Sequence, residues 1–292
     1  MENSKYVKKI LEKKYKNSAK NLYSDNFFSD LFSGYSYTLG KKSNDMKSFL
    51  EISSDNDKFK SLLLNLNQYE FLDFLERNIE VALYNLAMYG TSYLYIEPEY
   101  EENESGKIYK ELINLKIREI KGIYIKNNFY STSFSGELIK LNLDQNKLIS
   151  FDLLDLGYTR NYFRNLVNKI GKCDMISTSL KMTRDEENVY DFNYHYEKNQ
   201  KKLYKYVNKI GWEFGTDGLS DSYILYNRIK LLSFKRKFFN YALERINKFL
   251  IENYIHDNSF KIVANVKNEN YEEIWDKYQR GEFVISDLNK IL

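Results

Sequence analysis

Two histidines, His195 and His256, and one cysteine, Cys173, are the chain's only imidazoles and thiol. They are scattered, and no Cys/His spacing of a zinc site occurs, so neither structural zinc nor Cys–His catalysis is expected. Acids cluster at Asp185-Glu186-Glu187 and at Glu272-Glu273. Neighbouring acids on a helix diverge by about 100° and do not converge on one reacting atom. There is no glycine-rich phosphate loop of the Walker type and no nucleophile elbow. His195, between Tyr194 and Tyr196, could act as a base or simply sit on a surface or interface; no partner nucleophile accompanies it. Arg160 and Arg164 could grip a phosphate or form the polar face of a helix. The expectation is a chain without catalytic residues, metal or cofactor.

Basic residues are the larger signal. Lys5, Lys8, Lys9, Lys13, Lys14 and Lys16 crowd the N-terminus, and Lys230, Lys235, Arg236, Lys237, Arg245 and Lys248 decorate a long helical stretch. Both groups are candidates for sequence-independent contact with a nucleic-acid backbone. Equally, lysine stems cover helix surface and keep it wet.

These side chains must be positioned by a chain of 292 residues, long enough for one large domain or two modest ones. Its 43% hydrophobic and 16% aromatic content rules out general disorder, and a net charge of +3 points to no strongly charged partner. Twenty-seven tyrosines against one proline reflect in part an AT-rich coding bias, although tyrosine also suits subunit interfaces. The N-terminus lacks the apolar core of a signal peptide, and no apolar run is long enough for a membrane span. A protein of a reducing compartment, without membrane attachment, is expected.

Periodicity gives an α+β order. Tyr6, Ile10, Leu11 and Tyr15 mark a helix over 5–22. A second helical stretch runs over 57–89, broken near 65–68, with the stripe Phe71, Leu75, Ile79, Leu83, Leu86. Gly90 should end it with a positive φ. Alternation then predicts strands at 91–96, 108–117, 122–126, 129–134, 138–143 and 147–151, forming an antiparallel meander laid against the helices. Helix resumes over 160–170, while 185–209 is ambiguous. Three glycines, Gly211, Gly215 and Gly218, mark a hinge into a helix capped at Ser220 or Asp221 and reaching about Tyr254. At 1.5 Å per residue this helix measures on the order of 50 Å. Its stripe is Leu231, Phe234, Phe238, Ala242, Ile246 and Phe249; a strand over 260–266 and a helix over 269–279 follow.

Three stretches resemble the tailed-bacteriophage portal family. Val81-Ala-Leu-Tyr-Asn-Leu-Ala-Met-Tyr-Gly-Thr-Ser-Tyr-Leu-Tyr-Ile96 is similar to the portal helix that stops at a glycine and enters the wing sheet. Leu115-Lys-Ile-Arg-Glu-Ile-Lys-Gly-Ile123 resembles the wing strands that follow. Gly218-Leu-Ser-Asp-Ser-Tyr, Phe260-Lys-Ile-Val-Ala-Asn and Glu269–Gly281 are similar to the stem helix, clip strand and returning helix, with Ser233–Tyr254 as the spine helix and an earlier stem as the alternative. The likeness covers roughly 65–290, with 160–210 matching poorly. It fits either a compact member or part of a longer one.

The element order and the resemblance, in which the N-terminal basic helix has no counterpart, divide the chain into three consecutive parts. These are a basic helical arm (1–56), a wing-like α+β domain (57–217) and a stem/clip-like helix–strand–helix (218–292) projecting from the body. The resemblance implies a structural ring of about twelve copies around double-stranded DNA, held non-specifically. The ring would work with a terminase motor, the major capsid protein and a head–tail adaptor, in the virion and, during assembly, in the host cytoplasm. Leu231, Phe234, Phe238, Ile246 and Phe249 would then face a neighbouring subunit, and the basic residues from Lys230 to Lys248 would face DNA. Gly90 and Gly218 would be structural. The competing readings are a nucleic-acid-binding adaptor of a mobile element, which would use the Lys5–Lys20 helix, and a nuclease or transferase. The last would need converging acids or a nucleotide loop, and neither is found.

Overall fold

The computed structural model describes residues 2–15, 22–40, 49–56, 68–101, 111–125, 128–132, 137–173, 192–212, 220–267, 270–286 and 288. The fold is α+β, as the pattern of the sequence implies. Helices α1 (Glu2–Tyr15), α2 (Leu22–Phe32) and α3 (Tyr35–Leu39) precede strand β1 (Leu50–Ser53). Helix α4 (Gln68–Tyr89) leads into β2 (Thr91–Glu101), β3 (Glu111–Glu119), β4 (Ile123–Ile125), β5 (Asn128–Thr132), β6 (Leu138–Leu141) and β7 (Leu148–Asp152). Then come α5 (Tyr162–Gly171), α6 (Phe192–Val207), α7 (Asp221–Leu250), β8 (Lys261–Ala264) and α8 (Tyr271–Gln279).

Two compact units share the chain. One holds 1–16, 34–161 and 237–267; the other holds 17–33, 162–236 and 268–292. Each is built from three separated segments, so the division differs from the expected consecutive arm, wing and stem. Long-range pairing is the reason. In the first unit β1 pairs antiparallel with β8, Leu50 opposite Ala264. Four residues without a longer alternation gave β1 no signature in the sequence.

The expected meander is split in the first unit. β7 returns to pair with β2, giving the order β3-β2-β7, while β4-β5-β6 form a separate antiparallel sheet. Side chains alternate along β2, as the pleat requires. Ser92, Leu94 and Ile96 are buried on one face; Tyr93 and Tyr95 lie on the other, with Phe129 of the second sheet. Helix α1 is not a free arm. Val7 and Leu11 are buried against Ile123, and Ile10 packs beside them. The buried stripe is therefore Val7–Ile10–Leu11, whereas Tyr6 is 63% exposed.

Gly90 ends α4 with φ +81°. Its N–H still donates to Leu86 O at 2.8 Å, and its carbonyl accepts from Leu153 N at 3.1 Å. A Cβ here would stand 2.5 Å from Arg160 O and 2.6 Å from Arg160 Cβ. Glycine is thus required twice, for the left-handed turn and for the close approach of the segment carrying Arg160.

The second unit has an aromatic core. Phe163 meets Phe32 edge-on at 5.6 Å and Phe234 at 5.8 Å, and Trp212 meets Phe27 at 5.3 Å. Trp212 Nε1 donates to Asp30 Oδ2 at 2.7 Å, satisfying the one polar atom of a ring that is 2% exposed. Of the three expected hinge glycines, Gly211 lies in a turn with φ +81°. A Cβ there would meet Asn227 O at 2.2 Å, so this turn lies directly against α7. Gly215 and Gly218 fall outside the described residues.

Candidate functional site

Helix α7 was expected to offer an apolar stripe to another subunit and a basic face to DNA. It is continuous over 30 residues, its first part in the second unit and its last in the first. The stripe is used within the chain. Phe238 and Ile246 are 0% exposed and Phe234 7%, while Leu231 and Phe249 are half-buried. In the second unit Phe234 stacks among Phe32 and Phe163. In the first, Phe238 packs on Tyr158 at 5.8 Å, and the neighbouring Phe239 packs on Tyr35 and Phe49. Phe234, Phe238 and Ile246 are core residues, and the reading of them as interface residues is corrected. Within each unit the segments packed beside α7 supply the cover for its apolar side chains.

The basic residues of α7 are dispersed as well. Lys235 is 1% exposed, its ammonium donating to Asp30 O at 2.9 Å and Ser33 O at 2.7 Å. It tethers the carbonyl end of α2, where the helix dipole favours a cation, and cannot touch DNA. Lys230 Nζ donates to Asn208 O at 3.0 Å and lies 3.9 Å from the Tyr226 ring centre. Lys237 donates to Leu156 O, and Arg245 to Ser150 O. Arg236 is half-buried. Lys248 stays exposed, 3.8 Å from Glu252. Glu272 and Glu273 lie exposed in the first turn of α8, where Asn270 caps Glu273 N, and do not converge on a site. His195 belongs to α6, with its side chain outside the described residues; Gly218 and Asp185–Glu187 also lie outside them.

The polar cluster that the fold does build lies in the first unit, on the face of β2 and β7 opposite α4. A cavity of about 660 Å³ opens there between the end of α1, the β2–β7 face and β4. Alternation places Thr91 and Tyr93 of β2 and Ser150 and Asp152 of β7 on this face, Thr91 directly opposite Asp152. Lys14 reaches in from α1, donating to Thr91 Oγ1 at 2.7 Å and Gly122 O at 3.1 Å, with Nζ 5.5 Å from the Tyr93 ring centre. From the far rim Arg160 grips Asp152, with Nε 3.2 and 3.1 Å from the two carboxylate oxygens and one terminal nitrogen 2.5 Å from Oδ2. Ile10, Ile123 and Ile125 supply an apolar side, and Tyr124 stands on it, edge-on to the buried Phe129 at 5.9 Å.

Charges in this cavity are perturbed in a coherent way. Burial lowers the Lys14 ammonium, reinforced by the Arg160 cation and opposed by Asp152 and Glu119, to about 8. Burial pushes the Asp152 carboxyl up, but hydrogen bonds from Arg160 and Leu154 N, with the Arg160 and Lys14 charges, outweigh it and hold it below its usual range. The Asp152 hydrogen bond raises Arg160 further. Burial raises Tyr93. Behind Asp152, Tyr241 of α7 donates to Asp155 Oδ2 at 2.7 Å and accepts from Asp152 N at 3.0 Å; burial, with Asp155 beside it, takes its phenol to about 12.

The sequence held a partial signal for this site. Lys14 continues the 7–10–11 face of α1 by one step of three, so it lies on the buried side of a helix whose other lysines do not. Asp152, Thr91 and Tyr93 had none, because only the return of β7 to β2 brings them together. Arg160 lies before α5, so it does not pair with Arg164 across one helical turn. No protein-family model matches the chain, and no curated protein matches it. Among the described residues no helix is long and apolar enough to cross a membrane, and no group of three or more His, Cys, Asp or Glu could hold a metal ion.

Proposed function

We propose that this chain is a ring-forming structural subunit of the tailed-phage portal type, working mechanically on double-stranded DNA and making or breaking no bond. The observation that supports the reading is the junction at Gly90. A 22-residue helix ends at a glycine with φ +81° and passes without a loop into the central strand of a small antiparallel sheet. The long helix, short strand and returning helix follow in the portal order.

The ring contact in this proposal moves from α7 to the outer side of α4. Phe74 and Val81, 53% and 44% exposed, stand two turns apart on one face. Large exposed apolar side chains in register on one helix suit a partner surface better than bulk water. Heterologous contacts of this kind close into a ring of about a dozen copies when the rotation closes. In this reading the partners are the terminase motor, the major capsid protein, a head–tail adaptor and non-specifically held DNA. The place is the virion, and the host cytoplasm during assembly.

Negative-stain imaging and light scattering of the purified chain test it. Rings with a central hole are expected, and Phe74→Asp should dissolve them while circular dichroism stays unchanged. Monomers alone across micromolar concentrations at moderate salt would sink the proposal.

A further inference from the structure

We infer that the outward face of α1 is the surface on which this chain holds duplex DNA, through the phosphates and without regard to sequence. The partner is taken from the proposed function, and the inference rests on that reading to this extent; the surface is argued from α1 itself. Val7, Ile10 and Leu11 turn one side of the helix into the β4-β5-β6 sheet. Lys5, Lys8, Lys9 and Lys13 are exposed on the other side, with Tyr6 63% exposed among them. At 3.6 residues per turn, Lys5, Lys9 and Lys13 fall within about 80° of arc and span about 12 Å along the axis. The basic residues of α7 leave the role open, since Lys230, Lys235, Lys237 and Arg245 donate to carbonyls of the chain itself.

The spacing of the lysines carries the inference. Three lysines on other helices are balanced by a glutamate one turn away. Lys201 lies 3.8 Å from Glu197 on α6, Lys248 3.8 Å from Glu252 at the end of α7, and Lys277 2.8 Å from Glu273 on α8. That is the pattern of a face whose task is to stay wet. On α1 the spacing is reversed. Lys5–Lys9 and Lys9–Lys13 are like-charged pairs four residues apart, each of which destabilises a helix. Over residues 5–15 the helix carries five lysines and one acid, Glu12. An extended polyanion relieves this repulsion and gains further from the counterions it sheds. Duplex DNA presents one phosphate per about 1.7 Å of its axis, so a face of about 12 Å meets several at once. Tyr6 adds a hydroxyl of the kind that bonds phosphate oxygens. An anionic membrane fits less well, because an interfacial helix inserts its apolar face, and that of α1 is already buried.

Fluorescence anisotropy of the whole chain with a short labelled duplex, over a series of salt concentrations, tests it. Four lysine–phosphate contacts predict a slope of log K against log salt of about −3.6, the same for two unrelated duplex sequences. Lys5→Gln/Lys8→Gln/Lys9→Gln should bring the slope to about −0.9 and weaken binding roughly tenfold or more, with circular dichroism unchanged. Glu12→Gln should tighten binding, a result that loss of folding cannot mimic. Lys248→Gln, which opens a balanced pair, should alter neither affinity nor slope. No duplex binding at low salt, an unaltered slope in the triple variant, or tighter binding to phosphatidylserine vesicles than to the duplex overturns the inference. Light scattering of the same samples keeps it apart from ring formation. Rings whose duplex affinity survives the triple substitution sink this inference alone, whereas a ringless chain that binds duplex through α1 supports it and sinks the ring alone.

Discussion

Replacing Lys235 by methionine should destabilise the second unit by about 2–4 kcal/mol. The ammonium is 1% exposed and donates to Asp30 O and Ser33 O, at the carbonyl end of α2. Methionine keeps most of the apolar stem and removes both charge-assisted bonds. Each is worth about 1.5–3 kcal/mol, and the helix-end dipole adds about 0.3–1 kcal/mol. Regained desolvation of the ammonium offsets part of the total, since burying a charge is itself costly. Both tryptophans, Trp212 and Trp275, lie in this unit, and Trp212 is bonded to Asp30, so urea unfolding followed by tryptophan fluorescence reads the right region. At about 2–4 °C per kcal/mol for a chain of this order, the midpoint temperature should fall by several degrees. A change within 0.5 kcal/mol of the parent would refute the tether. So would a loss of DNA affinity in Lys235→Met with stability unchanged, since that would return Lys235 to the surface.

Other outcomes follow from the same geometry. Gly90→Ala should lose at least 2 kcal/mol, about 1–2 from the left-handed φ alone and the rest from the collision with Arg160; a neutral substitution in urea would contradict the close approach. Asn247→Leu should cost about 2–4 kcal/mol, because Asn247 both donates to Ile262 O and accepts from Ile262 N, pinning β8 to α7; proteolysis near 262 should rise, and unchanged resistance would count against the clamp. Lys14 has its folded pKa depressed to about 8, so between there and its ordinary value of 10.5 the unfolded chain binds more protons and stability should climb with pH. Above about 10, Tyr241, raised to about 12, reverses the sign, since the folded state then holds the extra proton. A stability–pH curve in Lys14→Met that still climbs between 8 and 10 would assign the rise elsewhere.

Local order was readable in the sequence, and long-range order was not. The period of α4, the stop at Gly90 and the strands from Thr91 to Phe151 were each written in neighbouring residues. The return of β7 to β2 and the pairing of β1 with β8 depend on contacts that no window of sequence contains. The period of α7 marks its stripe as apolar. Its partner is not written there, because periodicity says that a face is buried and not whether the cover comes from the same chain. Lys235 shows the same limit, as a basic residue on a helix reads as solvated until the carbonyls of α2 are placed beside it. The Asp152–Arg160–Lys14 cluster was invisible for a further reason, since Lys14 comes from the first helix while Asp152 ends the last strand of the meander and Arg160 follows it.

The pairing of β1 with β8 also sets a clock. Ser54 and Ser259, whose hydroxyls meet 3.5 Å apart at its edge, are 205 residues apart in sequence. A ribosome adding about 5–20 residues per second needs on the order of 10–40 s to make that interval. For that time Leu50 and Phe49, buried in the finished protein, have no β8 to rest on. Closing so large a loop is slow as well as late, and unpaired strand edges are where nascent chains associate wrongly. Yield in expression should therefore respond to holding chaperones and to translation speed more than to substitutions that strengthen the local elements.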